Sequence, residues 1–356
     1  MRAQCALVTC LILLACSSAT AWTVTVGPDD PMDLIMAWYT SSSVCTVRML
    51  PGTYVVGEPA IHWPLPLTEN SPCLVGDGGP DGVIIQGTGV EQAFFLDENV
   101  WDAHIHFEHI TFLGLHEIIG RVSTSTGGAG VVCFADNIVE GCGGGASYPA
   151  LRVTGCSGII ARNEFRDNLG YCVGTYHTSA AIEDNEMYGS LGGIRDQCCE
   201  SPAVRRNHVH DNSEIGIDTG YYQGGPIEYN IVERNGTGLT LGSYFDVEYN
   251  IVRENTRGVA CGGIAVGNAA VHHNDIYDNV EYDLMSASEG PLNHDCTMNW
   301  WGSTDPLVIA AGIRDCNDDP DLNVTVVFEP FCVAPGCGST PVQSRTWGAI
   351  KAMYRR

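Results

Sequence analysis

The sequence predicts one right-handed parallel β-helix, an all-β solenoid entered through an N-terminal capping helix. Three observations predict it. Asparagines recur in pairs around an apolar residue, with a period near 23 residues. Glycine is abundant, 42 of 356 residues, which suits many tight turns better than long helices. Hydrophobic residues make up 44% of the chain, enough for a packed core.

Residues 1–21 read as a targeting segment. Arg2 supplies a small positive start, and Ala6 to Ala15 is an apolar run too short to span a bilayer. Ala19-Thr20-Ala21 fits a small-x-small cleavage site before Trp22. Leu13-Leu14-Ala15-Cys16 fits a lipoprotein signal over 1–15, with Cys16 as the lipidated residue. Both routes export the chain. They differ in whether it is released or held at a membrane by a lipid. The expected location is secreted, periplasmic or lipid-anchored at a cell surface, in a bacterium. The sequons at Asn235 and Asn323 matter only in a eukaryotic secretory route.

The solenoid is expected over 22–332. Thr23 to Val26 reads as a strand. Asp29-Asp30-Pro31 reads as a helix start, and Met32, Ile35, Met36 and Tyr39 share one helical face. Such a helix would cover the open end of a sheet stack. Val44 to Leu50 reads as a strand ended by Pro51-Gly52. From Gly82 to about Trp301, short β-rich runs alternate with polar turns. Residues 333–356 read as a linker and a short C-terminal segment.

The repeat carries most of the argument. Asn163 and Asn168 flank Phe165, Asn207 and Asn212 flank Val209, and Asn230 and Asn235 flank Val232. Asn250 and Asn255 flank Val252, and Asn274 and Asn279 flank Ile276. Asn137 with Val139 and Asn185 with Met187 are imperfect copies. The first asparagines lie 26, 22, 22, 23, 20 and 24 residues apart, and Asn299 follows 25 later. That period is one coil of a solenoid, whose equivalent side chains stack from coil to coil. Asparagine tolerates left-handed backbone angles and bonds nearby main chain, so it is expected at the turns, stacked along the axis.

Charge and cysteines narrow the function classes. Acidic residues number 42 against 17 basic ones, Lys351 is the sole lysine, and the formal net charge is −25. A nucleic-acid backbone binder needs a cationic surface, so no nucleic-acid partner is expected. A membrane partner is expected only through the lipid anchor. Sixteen cysteines are present, three of them in or near the targeting segment. Disulfides are expected, with Cys45 and Cys73 near the N-terminus and Cys296, Cys316, Cys332 and Cys337 near the C-terminus as candidates. Cys198-Cys199 would bond to two different partners.

On these residues the chain resembles the pectin-lyase-like superfamily, above all its bacterial right-handed β-helix repeat proteins and the periplasmic copper-site maturation proteins built from the same short repeats. Leu50-Pro51-Gly52-Thr53-Tyr54 looks like its first coil, and Asn299-Trp300-Trp301-Gly302 with Thr304-Asp305-Pro306 looks like its closing segment. The resemblance covers roughly residues 44 to 332 and implies the fold. It also implies a polysaccharide partner in a lateral groove, with catalysis by lyases, epimerases or hydrolases using clustered carboxylates, often with calcium. The epimerase-type Tyr-Gly-x-Asp-Pro-His and the polygalacturonase-type Asn-Thr-Asp and Gly-His-Gly are absent.

One constellation is the sequence's candidate site. Ile194-Arg195-Asp196 and Ile215-Gly216-Ile217-Asp218 occupy adjacent coils. Counted from the turn, Asp196 stacks on Asp218 and the pair suits calcium. Counted from the apolar residues, Arg195 stacks on Asp218 as an ion pair. Arg195, Asp196 and Asp218 are thus the catalytic candidates, Asp196 and Asp218 the metal candidates, and His177, Glu214, Tyr221 and Tyr222 the substrate-binding candidates on the same rim. His104 with His106, and His208 with His210, alternate along strands. Each pair faces one way and could help bind a metal, although scaffold recurrence explains them equally well. Three roles follow: a non-catalytic polysaccharide binder, which is the favoured reading, a carbohydrate-active enzyme, or a structural surface protein.

Overall fold

The computed structural model describes residues 22–30, 44–56, 65–67, 73–87, 92–96, 104–121, 130–197, 202–220, 225–242, 246–262, 270–288 and 291–336. The expected capping helix, the targeting segment with Cys16, and the pair Tyr221 and Tyr222 lie outside these residues.

Each coil contributes up to three short strands, and each strand pairs in parallel with its counterpart in the next coil. The result is three long sheets, of eleven, ten and eight strands among the described residues, running along one axis. A three-stranded sheet, built from Glu117–Arg121, Gln92–Leu96 and Leu65–Leu67, lines the N-terminal coils. The strands are short because each coil must turn three times. The ten-stranded sheet uses mostly three-residue strands, such as Glu186–Tyr188 and His208–His210. Among the described residues no helix is long and apolar enough to cross a membrane.

The apolar residue between each asparagine pair is the core residue. Phe112, Val139, Phe165, Met187, Val209, Val232, Val252 and Ile276 occupy one register of the ten-stranded sheet. All are fully buried. A single coil cannot cover such a residue, but the coils above and below it do. Phe107, Phe112, Phe134 and Phe165 pack ring against ring in the core.

The asparagines behave differently from the expectation in one respect. They stack as expected, but they do not adopt the left-handed conformation. The residue before each does: Asp136, Arg162, Asp184, Arg206, Tyr229, Tyr249, His273 and Met298 have φ between 54° and 60°. The asparagine is needed for hydrogen bonding. Asn163 donates its backbone N–H and its Nδ2 to Oδ1 of Asn185, and its Nδ2 also donates to the Phe134 carbonyl. Asn185, Asn207, Asn230, Asn250 and Asn274 repeat this pattern toward Asn299. The left-handed turn residue breaks the strand, and the next carboxamide takes the peptide N–H that the break exposes inside the solenoid. A second ladder runs through Cys142, Asn168, Ser190, Asn212, Asn235, Asn255 and Asn279.

The C-terminal end departs from the repeat. Asp305 caps a short helix, Pro306–Ala311, by accepting from the Leu307 N–H, with proline in the first turn. A two-stranded parallel sheet of Leu292–Asp295 and Val324–Val327 follows.

The cysteine expectation is corrected for several residues. Cys73, Cys296 and Cys316 are free thiols, as are Cys133, Cys142, Cys156, Cys172 and Cys261. Cys142, Cys172, Cys261 and Cys296 are buried as core or ladder residues, where the thiol works as a small apolar group. Cys316 lies beside the Thr325 hydroxyl.

Candidate functional site

The sequence's candidate residues sit on and beside the eight-stranded sheet. Its register pairs Ile194 with Ile217 and Arg195 with Asp218. The apolar residues therefore set the phase, and the Asp196–Asp218 stack does not form. Asp196 points to the opposite face, is buried, and accepts a 2.8 Å hydrogen bond from the Thr175 hydroxyl. A strand alternates its side chains, so neighbours Arg195 and Asp196 cannot share a face. Arg195 Nε lies 3.6 Å from Asp218 Oδ2, donates through Nη1 to the Ala146 carbonyl, and sits 5.3 Å from the Tyr171 ring centroid. Tyr171 in turn donates to Glu214 at 3.3 Å. The structure thus gathers Arg195, Asp218 and Glu214. His177 lies in the turn after Tyr171–Tyr176, in the left-handed conformation, with its ring edge-on to Tyr176. The crevice beside Arg195, walled by Pro149, Arg152, Tyr171 and Tyr176, has a volume near 10 Å³, about one water.

This cluster is an ion pair at the surface rather than an open site. Burial raises the Asp218 carboxyl above its ordinary value, against the opposing pull of the Gly220 N–H and Arg195. A carboxyl whose folded pKa is raised loses stability for the fold as pH rises through that value. Asp218→Asn is therefore expected to be at least as stable as the wild type at neutral pH, with a urea midpoint equal or higher. A clear drop in the midpoint would show that Arg195 and Asp218 hold the coil together.

The outer face of the ten-stranded sheet presents a larger array. Aligned on each coil's asparagine, the first and third following residues point outward. The third-position column runs Glu140, Arg166, Tyr188, His210, Glu233, Arg253 and Tyr277 over seven coils. At about 4.8 Å per coil that is roughly 29 Å of surface. The first-position column supplies Glu164, Glu186 and His208. Contacts link the whole row. Arg166 bridges Glu140 at 2.7 Å and Glu164 at 3.0 Å, and the Tyr188 hydroxyl donates to Glu164 at 2.9 Å. The Tyr188 and His210 rings stack in parallel, 5.1 Å apart.

Two histidines form its centre. Their rings are 4.1 Å apart. His210 meets Glu186 through Nε2 at 3.4 Å and Asp211 through Nδ1 at 2.6 Å. His208 Nε2 meets Glu233 at 3.2 Å, and its Nδ1 lies 3.9 Å from Glu186. Glu233 also holds Arg253 at 2.7 Å and Arg234 at 2.5 Å. These contacts drive the two imidazoles apart. Burial, then the charge of His210, pushes the pKa of His208 down despite Glu233 and Glu186. Burial also opposes the charge on His210, but Glu186 and Asp211 outweigh it and push that pKa up. Two titratable groups separated in this way suit proton donation by one and proton acceptance by the other. Glu186, His208 and His210 also form a three-donor set whose ligand atoms lie within 4.8 Å of one another.

An open hollow adjoins this pair. Its walls include Leu169, Leu191, Asp211, Ser213 and Arg234, and its volume is near 470 Å³, the size of a small-ligand site. Gly189 lines it at a left-handed turn position that Asp167, Asp211, Arg234 and Glu254 occupy in other coils, and the Asp167 carboxylate reaches over it, against the point where a Cβ would stand. Asp211 belongs both to the hollow and to the His210 contact.

Sequence reasoning gave this face too little weight. The available signal was the phase of the residues around the repeat: one residue after each asparagine and three after it. The residue two after it marks the core, and its repeat is the stronger pattern.

Residues 149–298 match the family model for a "Right handed beta helix region". Among curated proteins, none matches the chain. Two solved structures are similar to it. The periplasmic alginate epimerase AlgG is 15% identical, with 81% of this chain and 67% of that one covered and a TM-score of 0.36. A point mutant of the same epimerase is 14% identical, with 86% and 76% covered and a TM-score of 0.39. The chain is a right-handed parallel β-helix protein, and its residues 149–298 are the part that the family model describes.

Proposed function

We propose that this protein acts outside the cytoplasm as a polysaccharide-binding β-helix, with the outer face of the ten-stranded sheet as its binding surface. The observation that carries this reading is the row from Glu140 to Tyr277 beside the Gly189 hollow. It places one polar or aromatic side chain per coil along a straight line, which suits a linear polymer lying along the axis. The stacked Tyr188 and His210 rings turn their faces to each other and their edges outward. Carboxylates, guanidinium groups, imidazole and phenol then offer hydrogen bonds to sugar hydroxyls, and the hollow receives one ring. The apolar run and Cys16 near the N-terminus support export and a lipid anchor as the accompanying reading.

The test is a binding screen of the full chain against neutral and uronate-containing polysaccharides, with and without calcium. Gly189→Asn tolerates the left-handed turn and, by displacing the Asp167 carboxylate, adds a side chain at the wall of the hollow. It is expected to weaken binding at least about tenfold, or about 1.4 kcal/mol, while Asp218→Asn binds as wild type does. With a net charge of −25, uronate polymers are expected to bind better as salt is added, and neutral ones to be indifferent. Failure of the wild type to bind any polymer sinks the reading. Equal binding by Gly189→Asn sinks the location.

One observation favours a second reading, a carbohydrate-active enzyme. On the same face the pKa of His208 is pushed down and that of His210 is pushed up, the separation that acid–base chemistry on a sugar uses. Product formation that His208→Gln and His210→Gln each abolish would promote it over binding alone.

A further inference from the structure

The eleven-stranded sheet carries a different cluster near the N-terminal end. Strands Cys73–Gly76, His104–Glu108 and Gly130–Ala135 are consecutive neighbours in that sheet. Leu74 pairs with Phe107, so Cys73 lies opposite His106. Cys133 pairs with His106 on the other side. Leu74, Phe107 and Phe134 are buried in the core. Alternation therefore turns Cys73, His106 and Cys133 outward in one column, with Glu108 two residues beyond His106 on the same face.

The donor atoms converge. His106 Nε2 is 3.2 Å from Glu108 Oε1, and Cys133 Sγ is 3.8 Å from the same oxygen. The ligand atoms of His106, Glu108 and Cys133 all lie within 4.8 Å of one another. Cys73 stands opposite His106 on the other side, outside that set of converging donors. Metal–ligand lengths of about 2.0–2.3 Å imply donor–donor edges of about 3.3 Å for N···O and about 3.6 Å for S···O in a tetrahedral site. The observed separations are close to those edges.

The two thiols have no disulfide between them, and both are free. Cys73 and Cys133 flank His106, two strand spacings apart, or about 9.6 Å between backbones, beyond the roughly 7 Å limit for a disulfide. A simple His–Glu ion pair accounts for His106 and Glu108 but leaves two thiols stacked on either side of it.

We propose that His106, Glu108 and Cys133 hold a zinc ion between two successive coils, with its fourth position open beside Cys73. One sulfur, one imidazole nitrogen and one carboxylate oxygen suit zinc and do not suit calcium or magnesium. The location supplies a reason for it. The first asparagine ladder begins at Asn137. Its place in the preceding coil is taken by Ile110, whose N–H donates to Asn137 Oδ1 but which has no carboxamide to continue the ladder. The coils before Asn137 therefore lack that stacked hydrogen-bond column, and a metal held by His106, Glu108 and Cys133 ties the last of them to the coil where the column begins. Binding releases protons from the Cys133 thiol and the imidazole where they are protonated, and no redox change is involved.

The test uses the full chain, purified under reducing conditions, stripped with a chelator and titrated with Co(II) and then Zn(II). Wild type is expected to bind one ion per chain, with thiolate-to-cobalt charge-transfer absorption and tetrahedral ligand-field bands that Zn(II) displaces. Cys133→Ser, a replacement of nearly equal size, is expected to abolish the charge-transfer absorption, alone and in the double variant with Cys73→Ser, whereas Cys73→Ser alone leaves it. Zinc should slow amide exchange in residues 104–121 of the wild type and not of the double variant. Absence of the thiolate band in wild type, or its persistence in the double variant, overturns the proposal.

Discussion

Replacing Asn207 by alanine is expected to be the most damaging single change in the middle of the solenoid. Asn207 Oδ1 accepts from the backbone N–H of Asn185 at 3.1 Å and from its Nδ2 at 3.0 Å. Asn207 Nδ2 donates to the Ile182 carbonyl at 2.9 Å and to Asn230 Oδ1 at 3.0 Å. All of these atoms are buried. Alanine leaves the Asn185 N–H unpaired, at about 1–3 kcal/mol for a buried group, and removes the carboxamide bonds to the Ile182 carbonyl and to Asn230 as well. A loss of about 3 kcal/mol or more follows, in a part of the chain where the coils lean on one another. Urea unfolding followed by far-ultraviolet circular dichroism measures the total. Amide exchange locates it, with the Asn185 N–H losing protection first. A loss below about 1 kcal/mol with Asn185 still protected would mean that apolar stacking alone holds the coils and that the ladder is incidental.

The second large effect is expected at Glu233. Its side chain is 7% exposed and takes Arg253, Arg234 and His208 at once. Burial alone would raise its pKa, but hydrogen bonds from Arg253, Arg234 and His208 pull it down to about 2, from an ordinary 4.5. The sign follows from linkage. A carboxyl with a depressed folded pKa adds stability above its ordinary value, and that stability fades as pH falls toward the folded value. Glu233→Gln leaves three cationic or polar partners without their shared charge. Because Arg234 and Arg253 are themselves more than a third exposed, the loss is expected at about 1–2 kcal/mol, below that of a fully buried pair. The gap between wild type and variant is therefore expected to be full at neutral pH and to narrow from about pH 4.5 to about pH 2 as the wild-type carboxylate protonates. A gap that does not change with pH would show that Glu233 acts by packing and not by charge. The variant also frees His208 from a carboxylate that raises its pKa. That imidazole should titrate lower still, a shift that proton NMR of its ring can follow.

The two predictions rest on opposite kinds of legibility. Asn207 stands out in the sequence because a repeat repeats. An inward position has one acceptable environment, so the same residue type returns in every coil, and Val209 or Ile276 can be assigned to the core by counting from an asparagine. The expected role of the asparagine was incomplete for a related reason. Counting locates the turn but does not say which residue of the turn bends. Only the backbone shows that Arg206 and Tyr229 take the left-handed angle while Asn207 and Asn230 supply the hydrogen bonds.

Glu233 does not stand out, because outward positions have no common environment to impose a common residue. One column contains glutamate, arginine, tyrosine and histidine in succession, and its meaning lies in which of them are neighbours across coils. The candidate pair of aspartates illustrates the point. Asp196 and Asp218 look equivalent when counted from the turn, yet the sheet pairs Arg195 with Asp218. A slip of one residue moves a side chain to the other face.

The sequence by itself thus determined the solenoid, its period and its buried columns. It did so because burial and main-chain hydrogen bonding act alike on every coil. Tertiary structure alone decided which outward side chains meet. It placed His208 between Glu186 and Glu233, and it placed His106 between two cysteines that lie 60 residues apart. The physical reason is that coil lengths vary while strand spacing does not. A contact across coils is set by register, and register is fixed by the packed interior rather than by distance along the chain.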